Sequence, residues 1–265
     1  MRPLRNRGPD DPWEPVCHDI AATGVCITYA YVDDWLPADL SSPDLADQLG
    51  PDRRRFAKMP PSRNRDRFVA SRLLLRTAAG AVLGALPEEL ELAYKPGGRP
   101  HLRGIDHLDV SLSHTGELLV VGLSRWGRIG VDTEGADRRM LGLGTERQIC
   151  TPHELQTLAE VPEERRNREL VRLWTLKEAY SKAIGQGLRL RFTEFGFGAE
   201  DRRTRMERPD GAPGAGGEWS FHSWLVPGPY RVSVAFNDPG LDARRGSSAV
   251  LPLLPVLDDP RSTGH

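Results

Sequence analysis

The sequence predicts an α+β fold made of two similar halves, on three observations. Two long helical patterns, residues 63–86 and 163–184, are each followed by short strand-like runs. Glycine turns separate those runs, so neighbouring strands are read as hairpins. Helix-and-strands followed by helices-and-strands is also the order of an α+β protein, not of a doubly wound sheet. The repeat rests on element order, because the two halves share little sequence. A chain of 265 residues buries a substantial core as one large domain or two small ones.

The elements follow in order. Residues 1–22 are polar and proline-rich, without an apolar signal core, and are expected to form a disordered leader. Residues 25–32 read as a first strand. A short helix over 40–49 has Ser41 or Ser42 as N-cap and Pro43 in its first turn. The helix over 63–86 carries closely spaced apolar residues, including Phe68, Leu73, Leu75 and Val82, and Pro87 is its expected stop. Strands are expected at 90–94, 108–113, 118–124 and 128–134, with a hinge between the halves at 124–128. Residues 145–160 read as helical, Pro152 marking a new N-terminus within them. The helix over 163–184 ends at Gly185 and Gly187. Strands then follow at 192–197, 219–226 and 230–236, the last two joined by Pro227-Gly228-Pro229. Residues 201–218 read as a surface loop, and 238–265 as a poorly ordered tail in which 250–256 forms an apolar strip. The expected organisation is therefore a leader (1–22), an N-terminal subdomain (23–126), a C-terminal subdomain (127–237) and a tail (238–265).

Whole-chain charge names no partner: 36 basic against 37 acidic residues give a net charge of −1. Its distribution says more. Residues 52–76 hold nine basic side chains against Asp52 and Asp66, a patch suited to a polyanionic small ligand, an acidic protein or nucleic acid, or else a solvated helix face. Few aromatics interleave it, which counts against nucleic acid. Three cysteines without metal-type spacing fit a reduced, cytoplasmic protein. No run approaches the roughly 18 apolar residues of a membrane span.

Two segments carry the chemistry. In Gly130-Val131-Asp132-Thr133-Glu134, alternation along a strand sends Asp132 and Glu134 from one face. In the segment from Trp174 to Leu188, Glu178 and Lys182 lie one helical turn apart on one face. Each pair alone is ordinary: an Asp-x-Glu is usually a wet strand face, and an i,i+4 Glu–Lys a helix salt bridge. Context raises their weight. Leu170, Leu173, Leu176, Tyr180 and Ile184 form an apolar arc with Trp174 at its margin, and Glu178 and Lys182 lie just beyond, where a buried helix would meet a cleft. Lys177 falls inside the arc and calls for an anionic partner. Three carboxylates and a lysine are the equipment of a magnesium-assisted reaction on a phosphate ester.

Ser113 and His114 fall at a strand end beside the Thr115-Gly116 turn, either as turn-capping residues or as phosphate contacts. A Ser-His nucleophilic pair is disfavoured, since neighbours on a strand point to opposite faces. Gly97-Gly98-Arg99-Pro100 is a turn from which Arg99 extends. No glycine-rich nucleotide fingerprint follows a strand.

Taken in order, Gly98-Arg99-Pro100, the segment Ser111 to Thr115, Gly130 to Glu134 and Trp174-Thr175-Leu176-Lys177-Glu178-Ala179, followed by Lys182-Ala183 and Gly185-Gln186-Gly187-Leu188, resemble the 4′-phosphopantetheinyl transferases of the Sfp type across about residues 25–237. The resemblance implies a pseudo-twofold monomer of two α+β subdomains with the active site between them. It also implies magnesium, coenzyme A as substrate, and transfer of phosphopantetheine to a serine of an apo acyl or peptidyl carrier protein, releasing 3′,5′-ADP. By the same resemblance Asp132, Glu134 and Glu178 ligate the metal, and Glu178 serves as general base. Lys182 binds the diphosphate, and Arg67, Ser113 and His114 hold the 3′-phosphate with Arg99 reaching towards it. The chain departs from the family pattern where Arg99 replaces the usual lysine and Thr133 the usual apolar residue. Two rivals compete: a magnesium-dependent nucleotide phosphohydrolase, and a non-catalytic polyanion-binding module.

Overall fold

A computed structural model describes residues 1–198, 204–214 and 218–237. The tail over 238–265, with its apolar strip, and part of the expected loop over 201–218 lie outside the described residues.

The first half runs through β1 (Leu4–Arg5), α1 (Glu14–Thr23), β2 (Val25–Tyr31) and the short helices α2 (Val32–Trp35), α3 (Pro43–Leu49) and α4 (Arg53–Phe56). The long α5 (Arg63–Leu83), the small hairpin β3 (Leu92–Tyr94) and β4 (Pro100–Leu102), and the hairpin β5 (Asp109–Thr115) and β6 (Leu118–Ser124) complete it. The second half holds β7 (Ile129–Gly135), α6 (Glu146–Ile149), α7 (Pro152–Glu160) and α8 (Glu163–Ile184). It ends with β8 (Gly196–Phe197), β9 (Met206–Glu207) and the hairpin β10 (Trp219–Val226) and β11 (Tyr230–Asn237).

The halves repeat one topology. In each, a first strand is followed by a long helix and a hairpin, and the first strand pairs antiparallel with the hairpin's second strand. The orders are β2-β6-β5, with β1 added beside β2, and β7-β11-β10. Helix α5 packs Leu74, Ala78 and Val82 against Leu119, Val121 and Leu123 of its sheet. Helix α8 packs Leu176, Ala179 and Ala183 against the second sheet with Phe221 and Ala235. The opposite faces of the two sheets meet through Ile27, Tyr29, Leu118 and Val120 against Val131, Val232 and Val234. Burial on both faces explains why β6 is buried at every residue and carries no alternation.

Helix ends follow their caps. Ser62 Oγ accepts the Arg65 N–H at the start of α5, and Gly84, at φ 68°, closes it before Pro87 is reached. The expected end at residue 86 is therefore three residues too long. Helix α8 has the expected bounds, closed by Gly185 at φ 75°. The stretch 145–160 is two helices, because Thr151 and Glu154 form a reciprocal capping box that starts α7 anew.

Two further expectations are corrected. Residues 1–22 are part of the fold: Leu4 and Arg5 pair parallel with Thr28 and Tyr29, and α1 buries Val16 and Ile20. A composition rich in Pro and Arg hid two core residues at helical spacing. The stretch 192–197 is a 3-10 turn over Phe192–Glu194 and only then a two-residue strand. Its phenylalanines pack edge-on to one another instead of alternating across a sheet.

The seam between the halves positions the site. Strands β5 and β7 lie side by side, each on the edge of its own sheet, and β5 side chains join them. Asp109 Oδ2, Ser111 Oγ and Ser113 Oγ accept the backbone N–H groups of Ile129, Val131 and Thr133, at 2.8, 3.0 and 3.3 Å. The constant offset of twenty residues means the two strands run the same way in register. Carbonyls on that edge are met by cations: Arg99 donates to Ile129 O and Lys182 to Val131 O. Side chains thus satisfy a strand edge that would otherwise be bare.

Candidate active site

A cleft of about 360 Å³ opens at the far end of this seam and draws its walls from both halves. Arg72, Tyr94, Ser113 and His114 come from the first; Asp132, Glu134, Glu178 and Lys182 come from the second. Gly130 explains how α8 reaches it. A Cβ there would sit 1.9 Å from Ala179 O, so only glycine lets the helix approach β7 this closely.

Lys182 is the junction. Its Nζ donates to Asp132 Oδ1 at 2.6 Å, to Ser113 Oγ at 2.9 Å and to Val131 O at 3.1 Å. The Ser113 hydroxyl in turn donates to Asp132 Oδ1 at 2.9 Å. Burial raises the Asp132 carboxyl above its ordinary range against the opposing pull of Lys182 and Ser113, and Glu134 adds to the rise. Glu178, half-buried, is raised by desolvation and then by the Asp132 charge, with Lys182 opposing. Glu134 accepts the Thr115 hydroxyl at 2.9 Å and pairs with Arg138 one turn along the chain.

The three acids expected to ligate a metal line one cleft, yet they do not converge. Among the described residues no three carboxylate, imidazole or thiol groups stand together closely enough to enclose an ion. Lys182 and Arg138 neutralise Asp132 and Glu134 instead. The donor set nevertheless fits a hard cation: all donors are carboxylate oxygens, and two of the acids are raised by burial and mutual repulsion that a divalent ion would relieve.

The expected anion contacts divide. His114 keeps an exposed edge, but withdrawal of its ring from bulk water, with the charges of Arg67, Arg72 and Lys182, lowers its imidazole to about 4. Arg67 does not line the cleft, although it stands close enough to bear on His114, and its Nε is buried without a hydrogen-bond partner among the described residues. Arg99 is engaged within the fold. Its guanidinium is bidentate with Asp109, at 2.9 and 2.5 Å, and donates to Lys182 O and Ile129 O. Four of the five N–H donors of its planar fork are engaged, so Arg99 clamps α8 to the seam, and Gly98 and Pro100 on either side of it line the cleft.

Sequence reading missed Arg72, Tyr94 and Arg138 as cleft residues. Arg72 is 8 % exposed, its Cζ 4.1 Å from the Phe68 ring centroid, and Asp52 anchors it at 3.7 Å while accepting the Tyr94 hydroxyl at 2.6 Å. Its signal was a charge on a buried helix face, lost among eight basic neighbours. That basic stretch is open only in part: Arg53, Arg54, Arg55 and Lys58 are exposed, whereas Arg76 is buried and donates to Gln48 O, and Arg63 pairs with Asp33 and Glu117. Lys177 has the anionic partner its position called for. Fully buried, it meets Glu154 at 2.5 Å and donates to Ile149 O and Phe192 O, both at 2.7 Å.

Fold and site together are those of a two-halved α+β protein with carboxylates and a lysine gathered at the seam. Residues 128–235 match the model of the 4′-phosphopantetheinyl transferase superfamily. Curated relatives agree. The chain is 33% identical over 127 residues to slr0495 of Synechocystis, covering 47% of this chain and 52% of that protein. To the 4′-phosphopantetheinyl transferase HetI of Nostoc it is 31% identical over 156 residues, covering 58% and 62%. To a 4′-phosphopantetheinyl transferase of Bacillus subtilis it is 25% identical over 146 residues, covering 55% and 64%. The chain thus spans between about half and two-thirds of the length of these relatives. A holo-(acyl-carrier-protein) synthase from Bacillus anthracis, solved with CoA (3′,5′-ADP), superposes on 42% of this chain and 95% of its own at 24% identity, with a TM-score of 0.31. Among the described residues no helix is long and apolar enough to cross a membrane.

Proposed function

We propose that this chain transfers the 4′-phosphopantetheine arm of coenzyme A to a serine hydroxyl of an apo acyl or peptidyl carrier protein, releasing 3′,5′-ADP. The observation that carries the reading is the Lys182–Asp132–Ser113 network, with Glu178 and Glu134 in the same cleft. The serine oxygen forms a bond to the phosphorus that bears the pantetheine. The bridging P–O bond of the diphosphate breaks, and 3′,5′-ADP leaves with the electron pair. Glu178, raised above the ordinary carboxylate range, accepts the serine proton. Lys182 steadies charge on the leaving phosphate, and His114 with Arg72 faces the 3′-phosphate, the Arg67 charge acting on it from behind His114. Asp132, Glu134 and Glu178 would hold Mg²⁺, which supplies charge neutralisation on the diphosphate when bound. Both halves of one chain build the cleft, so a monomer suffices to form it.

Apo carrier proteins incubated with coenzyme A and Mg²⁺, then read by intact mass, test the reading. A mass gain on the carrier with release of 3′,5′-ADP is the expected result. Free phosphopantetheine without carrier modification would favour the hydrolase, and indifference to coenzyme A would favour the polyanion-binding module.

A further inference from the structure

Residues 52–76 hold two acids among nine basic side chains, and the two are placed differently. Asp66 pairs with the partly exposed Arg63 at 3.6 Å, whereas Asp52 is only 6 % exposed and meets several partners at once. Asp52 ends a one-turn 3-10 segment, Gly50–Asp52, just before α4. Facing it are Arg72 and Arg76, both buried and one turn apart on α5. The carboxylate stands 3.7 Å from Arg72 Nε and accepts the Tyr94 hydroxyl at 2.6 Å. It is also foremost among the charges that oppose the lowering of Arg76 by burial.

The place of this carboxylate is fixed in advance of any ligand. Arg76 donates to Gln48 O, and Gly50, at φ 53°, lets the turn press against α5, since a Cβ there would sit 2.6 Å from Arg76 Nη2. Burial raises the Tyr94 phenol above its ordinary range, so its hydroxyl keeps the proton it donates to Asp52. Arg72 Cζ is 4.1 Å from the Phe68 ring centroid and 6.0 Å from that of Tyr94. One N–H of Arg72 goes to the Ser71 hydroxyl at 2.9 Å, but its buried Nε has no hydrogen-bond partner among the described residues, Asp52 being too distant for one. A guanidinium so placed is short of acceptors until an anion enters. Arg72 and Tyr94 line the cleft, and Asp52 does not.

We propose, resting on the function given above, that Asp52 is a positioning residue for the ribose 3′-phosphate of the substrate: from outside the cleft it holds Arg72 and Tyr94 as one unit against that phosphate. Asp52 itself touches no substrate. Without its charge, Arg72 and Arg76 are left to repel each other, and the guanidinium no longer waits in one place. A substrate lacking the 3′-phosphate makes no use of that placement, and a site built to pair with a polar group rejects the analogue that lacks it. Selectivity for the 3′-phosphate is therefore set at Asp52, while the diphosphate end at Lys182 is indifferent to it.

Calorimetry on the full chain compares coenzyme A with 3′-dephospho-coenzyme A, which differ only in that phosphate. The wild-type chain is expected to bind coenzyme A about ten- to hundredfold more tightly, the scale of a charged hydrogen bond. Asp52→Asn removes the charge and keeps an acceptor for Tyr94. It should cut the preference below about threefold while dephospho-coenzyme A binds within about twofold of wild type, which also reports that the variant folds. In steady-state transfer the same variant should raise KM for coenzyme A and leave kcat, and KM for the dephosphorylated substrate, unchanged. Tyr94→Phe removes only the hydroxyl, from an exposed residue, and should lower the preference about threefold or more. It carries the test alone if loss of the Asp52 charge prevents folding. No preference in the wild-type chain, a preference that survives the variants, or an equal loss for both ligands overturns the inference and leaves the proposed function standing. Failure of the wild-type chain to bind either ligand overturns the function itself.

Discussion

Lys182 Nζ lies 2.6 Å from Asp132 Oδ1 and 2.9 Å from Ser113 Oγ, so one ammonium joins a helix of the second half to edge strands of both halves. The group proposed to steady the leaving phosphate is also what closes the seam when no phosphate is there. Replacement of Lys182 by methionine separates the two roles. Transfer should fall at least about a hundredfold, while stability falls by about 1–3 kcal/mol, the scale of a lost charged hydrogen bond. Steady-state kinetics and urea unfolding report the two numbers, and a larger loss in folding than in turnover would make Lys182 a structural residue only.

Glu178 has to be ionised to accept a proton, and its carboxyl is raised by burial and by Asp132. Activity should therefore be lost as pH falls through that raised value, above where an ordinary glutamate titrates. Glu178→Gln should lower kcat by about a hundredfold or more and remove the acidic limb. A full pH profile retained in the variant would exclude the residue as base.

Raised carboxyls also set the response to cations. A folded-state value above the unfolded one means the folded chain binds the proton more tightly, so stability is greatest below the unfolded value and falls as pH rises through the folded one. For Asp132 and Glu178 that cost is present at neutral pH, and a divalent ion between them would remove it. Millimolar Mg²⁺ should raise Tm in wild-type protein by the linkage expected of a ligand specific to the folded state. The double variant Asp132→Asn, Glu178→Gln should show no such rise.

His114 is lowered to about 4 by withdrawal from water and by Arg67, Arg72 and Lys182, so it is neutral at pH 6. A bound phosphate dianion inverts that field and favours the imidazolium. Binding of 3′,5′-ADP at pH 6 should take up a proton, and affinity should rise as pH falls from 7 to 5.5. Calorimetry in buffers of different ionisation enthalpy measures the uptake, and His114→Gln should abolish it.

Arg99 and Lys177 look alike in sequence, as cations in the motifs that carry the family resemblance, and each is held by a carboxylate of the fold. Arg99→Lys breaks the bidentate contact with Asp109 and should cost stability while changing 3′,5′-ADP affinity less than about threefold. Lys177→Met strands Glu154 in the core and should cost about 3–5 kcal/mol, read by denaturant unfolding.

Much of the fold was legible. Helix α8 and strands β6 and β10 have the bounds their patterns implied, because glycine caps and hairpin turns are local signals. Residues 1–22 were misread because Val16 and Ile20 are too few to outweigh their polar surroundings, although two buried residues suffice to seat a short helix. That Asp132 shares a face with Glu134, and Glu178 with Lys182, was legible from strand and helix periodicity, and all four line the cleft.

What sequence by itself determined is which residues share a face, since that depends only on backbone period. Tertiary structure decided what each face meets. It turned Arg99 into a clamp, sank Arg72 beside Tyr94 at the cleft, and gave Asp132 a lysine partner in place of a converging set of acids. Those outcomes depend on packing two sheets edge to edge at the β5–β7 seam, and Asp109, Ser111 and Ser113 contact residues twenty positions away, a distance that local propensity does not carry.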